Sequence, residues 1–153
     1  MRKYYEAVLD HFRELHAEVL KAVDVMPPEA FDWVPGPEMN SLGVLVMHLT
    51  GSERYWVGDV VKGDPSFRNR EAEFQAKGMD AAALKQRVSD LDAYEAKVFD
   101  TLQLRDLDSW KVAPRDGRKV TVAWALLHAL EHTAVHVGHI EILTQQRKQT
   151  EKG

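Results

Sequence analysis

Apolar residues recur every three or four positions along four stretches of the chain, and nowhere do they alternate long enough to mark a strand. The first stretch runs from about Lys3 to Val25, with Tyr5, Leu9, Phe12, Leu15, Val19 and Val23 forming one stripe before Pro27 and Pro28 stop it. The second begins at Asn40 or Ser41, either a good N-cap, and runs to Lys62, where Gly63 and Pro65 end it. Leu42, Leu45, Leu49, Trp56 and Val60 give it a broad apolar face. The third starts at Asp80 and runs to about Gln103, its buried stripe marked by Leu84, Val88, Leu91, Val98 and Leu102. The fourth spans about Thr121 to Gln146, beyond which the chain turns polar and is expected to fray.

Four helices of this length in 153 residues predict an all-α four-helix bundle: one domain over residues 1–148 and a polar C-terminal tail over 149–153. The connections fit that picture. Residues 27–39 hold four prolines and Trp33, residues 63–79 are long enough to cross the bundle, and residues 105–120 contain the turn dipeptide Asp116-Gly117. The large aromatics, Phe31, Trp33, Tyr55, Trp56, Trp110 and Trp124, are expected to fill core.

Composition narrows the chemistry. A net charge of -4 offers nothing to a phosphate backbone, so nucleic acid is not an expected partner. No stretch approaches the roughly 20 apolar residues that span a bilayer. The N-terminus leads into an amphipathic helix without an apolar leader, which points to the cytoplasm. The chain has no cysteine, which removes thiolate metal ligands and a cysteine nucleophile. No glycine-rich phosphate loop and no Ser-His-Asp pattern stands out.

Histidine carries the remaining signal. Of seven, four (His128, His132, His136 and His139) fall in twelve residues of the fourth helix. At about 100° per residue they lie at roughly 0°, 40°, 80° and 20° around its axis, on one narrow face. That face also carries Trp124, Val135 and Leu143, so it is expected to point inward. Buried imidazoles are costly unless something satisfies their ring nitrogens, and a metal ion does so.

Two ligand nitrogens on one ion lie only about 3–3.5 Å apart. Residues four apart on a helix rise about 6 Å, which side chains can close, whereas eight residues rise about 12 Å, which they cannot. The fourth helix therefore supplies an adjacent pair, and the spacing alone leaves open whether it is 128/132, 132/136 or 136/139. The natural third donor is His48, in the apolar run Gly43 to Leu49 of the second helix. A lone buried histidine more commonly satisfies itself on a backbone carbonyl, so the weight rests on the stripe. His128 and His139 are read as pocket residues, with Tyr55 and Ser52 near His48 as further lining. Glu131 is read as facing solvent, and so is His16.

These residues resemble the DinB-like, or YfiT-like, superfamily of metal-dependent enzymes. Two segments carry the likeness: Trp33-Val34-Pro35 followed by Asn40 to Leu49 with Glu53 and Trp56, and Trp124 to Ile140 with Gly138 after the histidine pair. The resemblance covers nearly the whole chain. It implies up-down-down-up topology with residues 63–79 as the crossover, a homodimer, and metal ligands at His48, His132 and His136. Many members carry Gln where His139 stands. Members include bacillithiol-using S-transferases, mycothiol-dependent isomerases and proteins described as hydrolases. The resemblance therefore implies a divalent transition metal, zinc first and nickel, iron or cobalt as alternatives. It also implies a small-molecule substrate and a low-molecular-weight thiol as partner. The expected activity is thiol transfer to an electrophile, with metal-dependent hydrolysis or non-catalytic ligand binding as the other readings.

Overall fold

The computed structural model describes residues 1–152. Four long helices dominate: α1 (Lys3–Val25), α2 (Leu42–Arg54, continued by a π-helical segment Tyr55–Lys62), α4 (Ala81–Thr101) and α5 (Val122–Thr150). A short helix α3 (Arg70–Phe74) sits in the crossover, and an antiparallel pair β1 (Trp110–Val112) and β2 (Lys119–Thr121) precedes α5. The expected bundle is present. No helix among the described residues is long and apolar enough to cross a membrane.

Capping follows the sequence. Ser41 Oγ accepts from Val44 N at 3.2 Å and Asp80 Oδ1 from Ala83 N at 2.7 Å, each satisfying an otherwise orphaned helix amide. Thr121 caps α5 in the same way through Trp124 N at 3.2 Å. Gly63 ends the π-helical segment with a φ of 75°, a conformation that a Cβ would oppose.

Contacts fix which helices are neighbours. α1 and α4 run antiparallel, with Tyr5 stacked on Phe99 at one end and Asp24 paired with Lys85 at the other. α2 and α4 run in the same direction: Arg87 Nε donates to Thr50 Oγ1 at 2.6 Å, and further along both helices Lys62 Nζ donates to Thr101 Oγ1 at 3.0 Å. α5 returns antiparallel to α2, with Trp56 against Trp124 near the hairpin.

The core is divided. One apolar cluster gathers Tyr5, Phe12, Trp56, Phe99 and Leu126, and the other Val19, Phe31, Leu49, Leu84 and Ile140. Between them lies a buried polar layer to which each long helix gives one residue: His16, Glu53, Glu95 and Thr133. Thr133 Oγ1 donates to Glu53 Oε2 at 2.6 Å. His16 Nε2 lies 2.8 Å from Glu53 Oε1, an ion pair rather than a straight hydrogen bond, and its Nδ1 meets Asp92 Oδ1 at 2.7 Å.

Several expectations need correction. His16, read as facing solvent, is buried because the carboxylates of two other helices converge on it. Trp110 is 72% exposed, Trp124 is also exposed and Trp33 is only half-buried, so these three do not fill core. The stretch 105–120 holds a 3-10 turn and the hairpin, whose three-residue strands are too short to show alternation. The last helix runs to Thr150, past the expected end near Gln146, because Gln, Lys and Arg are adequate helix formers and Arg147 pairs with Glu151 at 3.3 Å. Of the expected tail, Gln149 and Thr150 are therefore helical, and Gly153 lies outside the described residues.

Burial opposes protonation of His16, but Glu53 and Asp92 outweigh it and push its pKa up to about 9. The folded chain thus holds a proton that the unfolded chain releases above about 6.5. Stability from this group is complete below pH 6.5 and is lost as pH rises through 9. Between those limits the folded protein is expected to lose on the order of 2–3 kcal/mol, read from denaturant midpoints. His16→Gln should flatten that slope, and a wild-type midpoint that stays constant across the window would remove the charged pair from the core.

Candidate metal centre

His48 projects from the apolar first half of α2 and is buried. His132 and His136, one turn apart on α5, are half-buried. Their ring nitrogens converge. His48 Nε2 and His136 Nε2 each lie 3.2 Å from His132 Nε2, and one nitrogen from each of the three rings falls within 4.8 Å of the others. Bonds of about 2.0–2.1 Å in a tetrahedral arrangement place ligand nitrogens about 3.3 Å apart, so the spacing suits one first-row divalent ion and leaves a coordination position open.

The outer nitrogen of His48 is also fixed. Nδ1 donates to Glu73 Oε2 at 3.1 Å, which leaves the Nε2 lone pair free to point at the cluster. Glu73 is in turn gripped by Arg68, whose Nε and Nη2 donate to its two oxygens at 2.7 and 2.9 Å. The carboxylate lies so close over α2 that a Cβ on Gly51 would displace it, so the glycine leaves room for this contact. Phe74 packs on the His48 ring at a centroid distance of 4.6 Å.

Burial raises the Glu73 pKa, but hydrogen bonds from Arg68 and His48 outweigh it and hold the carboxyl below the usual range. Burial, reinforced by the neighbouring imidazoles, pulls His132 down to about 3 and His136 to about 4. Both are therefore neutral at ordinary pH, the form that binds a metal. Their Nδ1 atoms are buried without a hydrogen-bond partner among the described residues.

The histidine stripe does not face the core as expected. The buried face of α5 is Val122, Ala125, Leu126, Ala129, Thr133, Val137, Ile140, Leu143 and Thr144; of the three apolar residues expected to turn inward with the stripe, Leu143 is buried, whereas Trp124 and Val135 are exposed. The stripe lies on the flank of that face, which opens the site to solvent. His128 is sandwiched by Trp56 and Trp124, each at 4.8 Å, and its ring centroid is 6.2 Å from that of His132. His139 is exposed, with its ring 5.3 Å from that of His136. Tyr55, two turns from His48, accepts a hydrogen bond from Arg115 N at 3.2 Å, and Ser52 is buried on α2 one turn from His48. Glu131 faces solvent as expected.

Glu73, Arg68, Phe74 and Gly51 escaped the sequence reading. Arg68 and Glu73 are five residues apart in a stretch with no long periodic pattern, and only the Asn69 cap hinted at a helix there, its Oδ1 accepting from Ala72 N at 3.0 Å.

Residues 6–149 match a family model described as mycothiol-S-transferase. No curated protein matches the chain. Among solved structures, a DinB-like protein from Bacillus subtilis, YjoA, is 20% identical with a TM-score of 0.71, the match covering 93% of this chain and 92% of that one. YfiT from Bacillus subtilis, described as a probable metal-dependent hydrolase with an unusual four-helix bundle topology, is 18% identical with a TM-score of 0.74 over 97% and 90% of the two chains. A substituted form of mycothiol-dependent maleylpyruvate isomerase is 11% identical with a TM-score of 0.68, over 89% of this chain and 60% of that one. At these identities the structures share the fold.

If Glu73 orients His48 for a metal, Glu73→Gln should weaken metal affinity about 10–100-fold while keeping helical content, measured by competition with a chromophoric chelator. Gly51→Ala should act in the same direction by displacing the carboxylate. Wild-type affinity in both variants would detach Glu73 from the site.

Proposed function

The chain belongs to the mycothiol-S-transferase family of the DinB-like superfamily, and from that premise we propose that it is a metal-dependent thiol S-transferase acting on a small electrophile. The observation that carries the reading is the convergence of three imidazoles, with His48 Nε2 and His136 Nε2 each 3.2 Å from His132 Nε2 and one nitrogen of each ring within 4.8 Å of the others, in a chain without cysteine. Any thiol in the reaction must then come from outside as a cosubstrate.

In this reading His48, His132 and His136 hold one divalent ion, with zinc the expected metal. A bound ion supplies the positive charge that keeps a cosubstrate thiol ionised at neutral pH, where its ordinary pKa of about 8.5 leaves little thiolate. The chain's own residues do the rest. Glu73 and Arg68 fix the His48 ring, and Phe74 packs against it. Burial keeps His132 and His136 neutral as ligands. His128, stacked on Trp124 at an interplanar angle of 13°, and His139, whose ring lies 5.3 Å from that of His136, flank the ligand pair and are proposed to contact the substrate. Sulfur bonds to the electrophilic carbon as that carbon's bond to its leaving group breaks, and the leaving group departs with the electron pair. The protein is proposed to work in the cytoplasm, as a single domain in a homodimer.

The test is a screen of mycothiol, bacillithiol, glutathione and coenzyme A against a standard electrophile, with metal-loaded and metal-free protein side by side. Chelation and His136→Ala should each bring the rate to background, and restored metal should rescue only the wild type. Equal rates for loaded, metal-free and no-enzyme samples with every thiol would overturn transfer. Metal-dependent ester cleavage in the same samples would move the protein to hydrolysis.

A further inference from the structure

Beside the histidines, the crossover and the hairpin enclose a cleft of about 460 Å³. Arg68, Arg70 and Arg115 line it, together with Tyr55, Phe67 and Val112. Its charge is unbalanced. Arg68 is committed to Glu73, but Arg70 has no acidic partner within 4 Å among the described residues and only stacks on Phe74, with its guanidinium carbon 4.8 Å from the ring centroid. Arg115 reaches an acid only at 4.0 Å, on exposed Asp116. The one acid in the cleft wall, Asp59, is turned away to Arg54 Nη1 at 3.3 Å and Ser66 N at 3.1 Å.

The apolar lining is equally unusual. Phe67 is 91% exposed and Val112 56% exposed, so neither is placed there by core packing. Phe67 also has a φ of 53°, in the left-handed region that bulky residues rarely occupy. A strained backbone that holds an aromatic ring out over a cleft points to a ligand surface. Two guanidiniums short of counter-charge beside exposed apolar side chains suit a small organic anion with an apolar body, such as a carboxylate.

We propose that this cleft binds such an apolar carboxylate, with Arg70 and Arg115 on the anionic end and Phe67 and Val112 against the body. Arg68 joins it to the metal centre, with Nη2 3.4 Å from His48 Nδ1. That the bound carboxylate is the substrate, and hence that the transferase acts on acidic electrophiles, rests on the function proposed above; the anion site itself does not.

The experiment compares 2-naphthoate with the neutral 2-naphthalenemethanol by calorimetry and amide chemical shifts, on metal-loaded and metal-free full-length protein. The carboxylate should bind about tenfold more tightly than the alcohol, with and without metal. It should shift the amides of Phe67 and Val112 and lose that advantage in Arg70→Gln/Arg115→Gln, two exposed positions. In the wild type its affinity should fall with added salt while that of the alcohol does not. Equal affinities would overturn the proposal. So would carboxylate binding that disappears with the metal and ignores the double substitution, since the anion would then sit on the ion. Intact naphthoate binding without thiol transfer would remove the catalytic reading alone. Thiol transfer indifferent to substrate charge, with no naphthoate preference, would remove this proposal alone.

Discussion

The register between α2 and α5 governs both the fold and the site. Two polar contacts set it at neighbouring heights: Glu53 accepts from Thr133 at 2.6 Å, and His48 meets His132 at 3.2 Å. Apolar packing alone tolerates small slides of one helix past another, because burying area is non-directional. A buried carboxylate does not tolerate them, since an unmet hydrogen bond in the core costs far more than a misplaced methyl. Sliding of the helix pair that holds the imidazoles is thereby restricted. The π-helical segment of α2 lies just beyond these contacts and packs Trp56, Val57, Val60 and Val61 into the core beside the first turn of α5.

Much of this was readable from residue spacing. The three-and-four periodicity located the four long helices; the second was read as starting at Asn40 or Ser41, the third at Asp80 and the fourth near Thr121, and the structure caps them at Ser41, Asp80 and Thr121. The i, i+4 spacing on the last helix limited the ligands it can offer to a neighbouring pair, and the apolar setting of His48 nominated the partner. The orientation of the stripe was misread, because a helix that packs with only part of its circumference leaves its flank half-open, and hydrophobic neighbours such as Val135 do not report which side of that edge they occupy. The support around His48 was invisible for a different reason. Arg68 and Glu73 act through a short helix in a long connection, where no periodicity of more than one turn exists to be detected. His16 was misplaced because its partners lie on α2 and α4, and local sequence does not register a charge 76 residues away.

Glu95 shows what the polar layer demands of its members. It is completely buried, and its oxygens have no hydrogen-bond partner among the described residues. Desolvation and then the charge of Glu53 push its carboxyl well above the usual range, which favours the neutral acid. An acid pushed toward its neutral form beside a Glu53–His16 ion pair brings the layer's charges closer to cancelling, which is how ionisable groups are tolerated in a bundle core without a compensating ion. The remaining member, Thr133, brings only a hydroxyl and gives its proton to Glu53.

The same side chain thus serves two opposite electrostatic purposes on adjoining turns of the bundle. His16 is enclosed by carboxylates, which favour the cation and draw its pKa up to about 9, so it acts as a counter-charge at neutral pH. His132 and His136 are crowded by other imidazoles with no acid in contact, and burial holds them neutral. The acid that does reach the histidine trio, Glu73, touches only the outer nitrogen of His48, and Arg68 offsets its charge. This placement separates orientation from charge: the carboxylate aims one ring without favouring the protonated form of the other two. An acid placed on the converging Nε2 atoms of His132 or His136 would turn the trio into a second version of the His16 layer, where carboxylates engage both ring nitrogens. Keeping carboxylates one shell away on the α5 flank is what leaves three nitrogens free to share an ion.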